Sequence, residues 1–194
     1  MKRKILNLKN EISSYLESFK SEGPISFSVR DLERHFAYDA DIYLNLFFEN
    51  QPLAKAGVSY GLKDYYHVED YGGIDFYLSK DPLVLSAVER ANRKWGITLM
   101  QSFPGKKSLR EKFSKIGLSY KEVLMNKMTS LSKKFDFPIE FYLPGNLVFW
   151  NLNSINQDAP FTCKGRYEIF SENYDSVAKK FGFQLSPDDS LYER

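Results

Sequence analysis

Ile97-Thr-Leu-Met-Gln-Ser-Phe-Pro-Gly-Lys-Lys-Ser-Leu-Arg-Glu-Lys-Phe-Ser-Lys-Ile116 reads as a strand, a loop and a helix in that order. The run Ile97–Met100 is apolar and partly β-branched, which suits a short buried strand. Pro104-Gly105 marks the loop over Gln101–Lys107. From Ser108 onward Leu109, Phe113 and Ile116 recur at helical spacing, with Gly117 as the stop. Just upstream, Asp81 is placed to cap a helix and Pro82 suits its first turn. Val84, Val88, Ala91 and Trp95 form that helix's apolar face, and Gly96 is expected to end it. Strands alternating with amphipathic helices define a mixed α/β chain.

Working outward, Ser119 and Glu122 have capping-box spacing, and Leu124, Met128, Leu131 and Phe135 continue as a helix to about Phe135. Pro138 prevents its extension. Strands are expected at Ile139–Leu143, Leu147–Leu152 and Phe161–Phe170, a helix at Glu172–Phe181, and a tail over the last dozen residues. Toward the N-terminus, Ile5, Leu8, Ile12, Tyr15, Leu16 and Phe19 form one helical stripe closed by Gly23-Pro24. A second short helix is expected after Ser28, whose spacing to Asp31 suits a cap and whose apolar side carries Val29, Leu32 and Phe36, and a third at Asp41–Glu49. Three short helices admit a helix-turn-helix. The stretch Val58–Leu78 suggests two strands around Gly72-Gly73. The fold class is therefore α+β: a helical N-terminal region, 1–56, followed by a small mixed sheet with packed helices, 57–194, or both as one continuous domain.

A chain of 194 residues that is 43% hydrophobic can bury its own core without staples. Cys163 is the single cysteine, so the sequence offers neither an internal disulfide nor a cysteine metal cage, and a cytoplasmic site fits best. No run approaches the roughly 18 apolar residues of a membrane span, so no membrane partner is expected. The opening Met-Lys-Arg-Lys is not followed by the apolar stretch of an export signal, since Asn7, Lys9, Asn10 and Glu11 interrupt it. The net charge is only +2, yet twelve Lys or Arg lie between Arg90 and Lys134 against Glu111 and Glu122. A basic segment on an otherwise acidic chain points to nucleic acid or another polyanion, and equally describes solvated helical faces.

A helix start presents unpaired backbone N–H groups and partial positive charge. Lys106, Lys107, Ser108 and Arg110 at such a start compose a phosphate site, and Arg93 and Lys94 extend it as a track. The same residues also compose an ordinary turn with a Ser108 cap and wet lysines. A nucleotide-binding P-loop is excluded, because Met100 stands where that motif needs glycine. His67 lies among acids and tyrosines in Asp64–Tyr71, but the other histidine, His35, belongs to a predicted helix and no metal-ligand spacing emerges. That segment reads better as a polar strand edge, and Cys163 as a small buried hydrophobe than as a nucleophile. Tyr142, Phe149 and Trp150 are aromatic enough to stack bases, or to fill a core. No cofactor or catalytic residue is assigned.

Two resemblances cover parts of the chain. Gly73 to about Leu124 resembles the large polyvalent-protein-associated domain found beside plasmid relaxases, through Ala91-Asn-Arg-Lys-Trp95-Gly96, Ile97-Thr98-Leu99, Gly105 and Gly117-Leu118. That resemblance implies a phage or plasmid setting and assigns no chemical role. The alternation of elements also looks like the acyl-CoA-dependent N-acetyltransferase core, with Ala178-Lys-Lys-Phe-Gly-Phe183 similar to that family's late Gly-Phe element. The family's glycine-rich pyrophosphate turn would fall at Ser79-Lys-Asp-Pro-Leu83, where an acid and a proline stand instead, and a strand would replace the helix after Ser119. The first expectation is thus a non-enzymatic binding protein of a mobile element, engaging nucleic-acid phosphates or an acidic protein surface through residues 90–134. The alternatives are an acyltransferase-like enzyme, and a protein partner's inhibitor or adaptor.

Overall fold

The computed structural model describes residues 2–18, 23–29, 40–62, 82–147 and 164–194. Helix α1 is Lys2–Ser18, followed by strands β1 (Ile25–Ser28), β2 (Ile42–Phe48) and β3 (Gln51–Tyr60). Helix α2 (Pro82–Ala91) leads to β4 (Trp95–Ser102), then α3 (Lys107–Lys115), α4 (Tyr120–Lys134) and β5 (Ile139–Tyr142). Helix α5 (Lys164–Lys180) precedes the two short strands β6 (Gln184–Leu185) and β7 (Tyr192–Glu193). Among the described residues seven strands form one mixed sheet in the order β1-β2-β3-β4-β5-β7-β6. The fold is α+β, as the alternation of periodicities required.

The chain divides into two compact units. The first comprises Met1–Phe36, Ala40–Val58 and Leu99–Pro138, and the second Ala37–Asp39, Ser59–Thr98 and Ile139–Arg194. Strands β3 and β4 contribute residues to both, so the boundary expected after residue 56 falls inside β3.

In the first unit α1 buries Ile12 and Leu16, as its stripe predicts. Its Tyr15 ring packs edge-on against Phe135, with centroids 5.6 Å apart, and lies beneath the Lys134 ammonium at 4.5 Å. The helix expected at Asp41–Glu49 is instead β2, antiparallel to both β1 and β3. Leu44 and Leu46 are fully buried, and Asn45 between them is buried too, donating from its side-chain amide to the Ser28 carbonyl. An apolar run of this length satisfies either period, and pairing on both edges decides it. The hairpin turn consists of Glu49 and Asn50, with φ of 51° and 61°. Positive φ at both central positions gives the twist that joins tightly turned antiparallel strands. Ser28 ends β1 rather than capping a helix, and the remainder of that predicted helix lies outside the described residues. The N-terminal stretch therefore holds one helix and three strands among its described residues, which removes the third helix of a helix-turn-helix.

Helices α3 and α4 form where the sequence predicts them. Leu109 and Phe113 face inward, Phe113 meeting Phe48 edge-on at 5.1 Å, while Ile116, expected inward, is 52% exposed at the helix end. Leu124, Met128 and Leu131 are buried from α4.

In the second unit α2 ends at Ala91, before a left-handed Arg93 (φ 66°), rather than at Gly96. Gly96 lies within β4 for a steric reason: a Cβ there would meet the Phe141 ring at 2.2 Å. Strands β4 and β5 run parallel, with Trp95 opposite Ile139 and Ile97 opposite Tyr142. The strand expected at Leu147–Leu152 does not begin, since Leu147 is helical and the rest lies outside the described residues. The strand expected over Phe161–Phe170 is replaced from Lys164 onward by α5. The predicted tail is structured. β7 pairs with β5 and with β6, burying Leu191 and Tyr192. Its turn is held by Asp188, whose carboxylate accepts hydrogen bonds from Ser186, from Ser190 and from Ser86 of α2.

Candidate phosphate-binding turn

The carboxyl end of β4 runs through Phe103, buried, and an exposed Pro104-Gly105 into α3. Phe103 donates its N–H to the Leu53 carbonyl, which fixes the start of the turn against β3. Gly105 has φ of 71°, a left-handed conformation, and a Cβ there would meet nothing within 4 Å. Glycine is thus required by the backbone angle and not by crowding, and the space beside the turn is open.

Helix α3 begins at Lys107, one residue before the predicted start, with Lys106 in the cap position. No side chain caps it, and the acids are absent from its first turn. Ser108 therefore sits inside the first turn instead of capping the helix. The first intrahelical bond is donated by Arg110 to the Lys106 carbonyl, so the N–H groups before it lie at the open helix start. Lys107 and Ser108 are exposed, and Lys106 and Arg110 are half-buried. Lys106 Nζ lies 3.5 Å from the Gln51 amide oxygen, a neutral partner that leaves its charge uncompensated. Arg110 Nε is shielded from solvent without a hydrogen-bond partner among the described residues.

Two further residues join this turn that the sequence did not single out. Ser102, last in β4, hydrogen-bonds the Tyr120 hydroxyl at the start of α4, and the Arg110 guanidinium acts on the same hydroxyl through space. Burial raises the Tyr120 pKa above its ordinary value, opposed by Arg110 and by the Ser102 hydrogen bond. Tyr120 stays protonated at neutral pH and is available as a donor. The capping spacing of Ser119 and Glu122 marks the start of α4 here, and nothing in the sequence signals that Tyr120 meets the turn.

The predicted track is not continuous in charge. Lys106, Lys107, Ser108 and Arg110 come together in the first unit. Arg93 and Lys94 belong to the second unit, where Lys94 lies 3.8 Å from both Glu140 and Glu193. Arg90 pairs with Glu193 and lies 3.6 Å from Asp188. Lys112 donates to Glu49 at 2.6 Å. Lys127 lies over the rings of Tyr15 and Phe27 and Lys121 over that of Tyr120, and burial lowers the pKa of both lysines. Acids and aromatic rings thus already engage much of the basic segment, and the turn stands apart.

His35, the segment Asp64–Tyr71, Phe149, Trp150 and Cys163 lie outside the described residues. Tyr142 is fully buried, edge-on to Tyr174 and Phe183, and serves the core rather than stacking bases. Among the described residues no group of three or more His, Cys, Asp or Glu could hold a metal ion, and no helix is long and apolar enough to cross a membrane. Compared with known proteins, the chain matches no family model, no curated protein and no solved structure.

Proposed function

We propose that the protein binds a ligand through a phosphate group at the β4–α3 turn, and that the ligand carries a compact phosphate or pyrophosphate, as acyl-CoA does. The observation that carries this reading is the uncapped start of α3 behind a left-handed Gly105, with Lys107 and Arg110 beside it. Exposed N–H groups, the helix dipole and nearby cations act together on an anion. The acyltransferase resemblance gains a glycine turn at a helix start here, one strand later than Ser79–Leu83. Its late Gly-Phe element corresponds to Gly182 (φ 83°), just past α5, and the buried Phe183. A focal cluster suits one phosphate group better than a polymer, since Arg90, Lys94 and Lys112 of the same segment face acids.

The test is thermal unfolding with acetyl-CoA, CoA and inorganic pyrophosphate, on the protein and on Lys107→Glu/Arg110→Glu. A ligand held only by the folded state at a hundredfold over its Kd stabilises by about 2.7 kcal/mol. The expected result is a raised midpoint that the double substitution abolishes. No shift with any of the three ligands sinks the reading.

A second reading, a nucleic-acid-binding protein of a phage or plasmid, is favoured by the charge of Leu99–Pro138, with nine Lys or Arg against three acids. Its mechanism is electrostatic and independent of base sequence. Binding to single- or double-stranded DNA, with no response to CoA, selects it over the first.

A further inference from the structure

We draw no further inference here: the strongest candidate, the exposed apolar pair Ile116 and Leu118 at the corner between α3 and α4 beside Lys115 and Lys121, carries nothing because nothing in the structure shows what covers it.

Discussion

Salt dependence distinguishes a focal phosphate anchor from a track along residues 90–134. Each phosphate neutralised on duplex DNA contributes about −0.9 to the slope of log affinity against log salt. If Lys106, Lys107 and Arg110 alone engage phosphates, the slope is about −3, and a fourfold rise in salt weakens binding about 40-fold. If the twelve cations of the segment all engage, the slope nears −11 and the same rise costs about a millionfold. The structure favours the shallow case, because Arg90, Lys94 and Lys112 already face acids. Fluorescence anisotropy with a labelled duplex, titrated at several salt concentrations, measures the slope directly. Lys107→Glu should flatten it by about one unit. A slope near −10, or one indifferent to Lys107→Glu, refutes the focal anchor.

Phe113→Ala should cost about 3–5 kcal/mol in denaturant unfolding, since a ring buried against Phe48 leaves a cavity. Gly96→Ala places a methyl group into the fully buried Phe141 ring, so it should destabilise by at least 1–3 kcal/mol, and Phe141→Leu in the same chain should recover part of that loss. Serine donors around Asp188 hold its carboxyl well below the usual aspartate range, so its stabilisation is present above the unfolded-state value and fades as pH falls through the folded one. The gap in midpoint between the protein and Asp188→Asn should therefore be constant near neutrality and narrow as pH drops below about 4, which melting from pH 7 to pH 2 would show. Glu49→Gln should release Lys112 and strengthen binding of any polyanion to α3, read as a lower apparent Kd for DNA at low salt.

How much was legible depended on whether a feature was local. The stripe of α1, the start of α4 after Ser119 and the Pro104-Gly105 turn are written within a few positions, and all three form, although no side-chain hydrogen bond from Ser119 caps α4. Asp41–Glu49 was ambiguous in its own residues, and the outcome turns on β1 and β3 pairing to either side, joined by a Glu49-Asn50 turn that lacks the usual glycine. Arg166-Tyr-Glu-Ile-Phe170 carries strand-forming residues that α5 overrides, as propensity is a weak prior beside tertiary packing. β6 and β7 are two residues each, too short for any period, and exist because β5 offers an edge. At the candidate site the turn and its lysines were visible. Their partner was not: Gln51 lies 55 positions from the Lys106 that it engages, and nothing near either residue announces the other.

The passage of β3 and β4 through both compact units has a kinetic consequence. Neither unit is a continuous length of chain, so neither can finish nucleating on a local hairpin alone. The β2–β3 turn closes a small loop quickly, but parallel pairing of β4 with β5 must wait for α3 and α4 to be spanned. Loop-closure entropy is lost before such distant contacts return anything, so this pairing is expected to form more slowly than the β2–β3 hairpin. Until that pairing is complete, β4 is a strand rich in apolar residues with an open edge, the species most exposed to misassociation with a second chain.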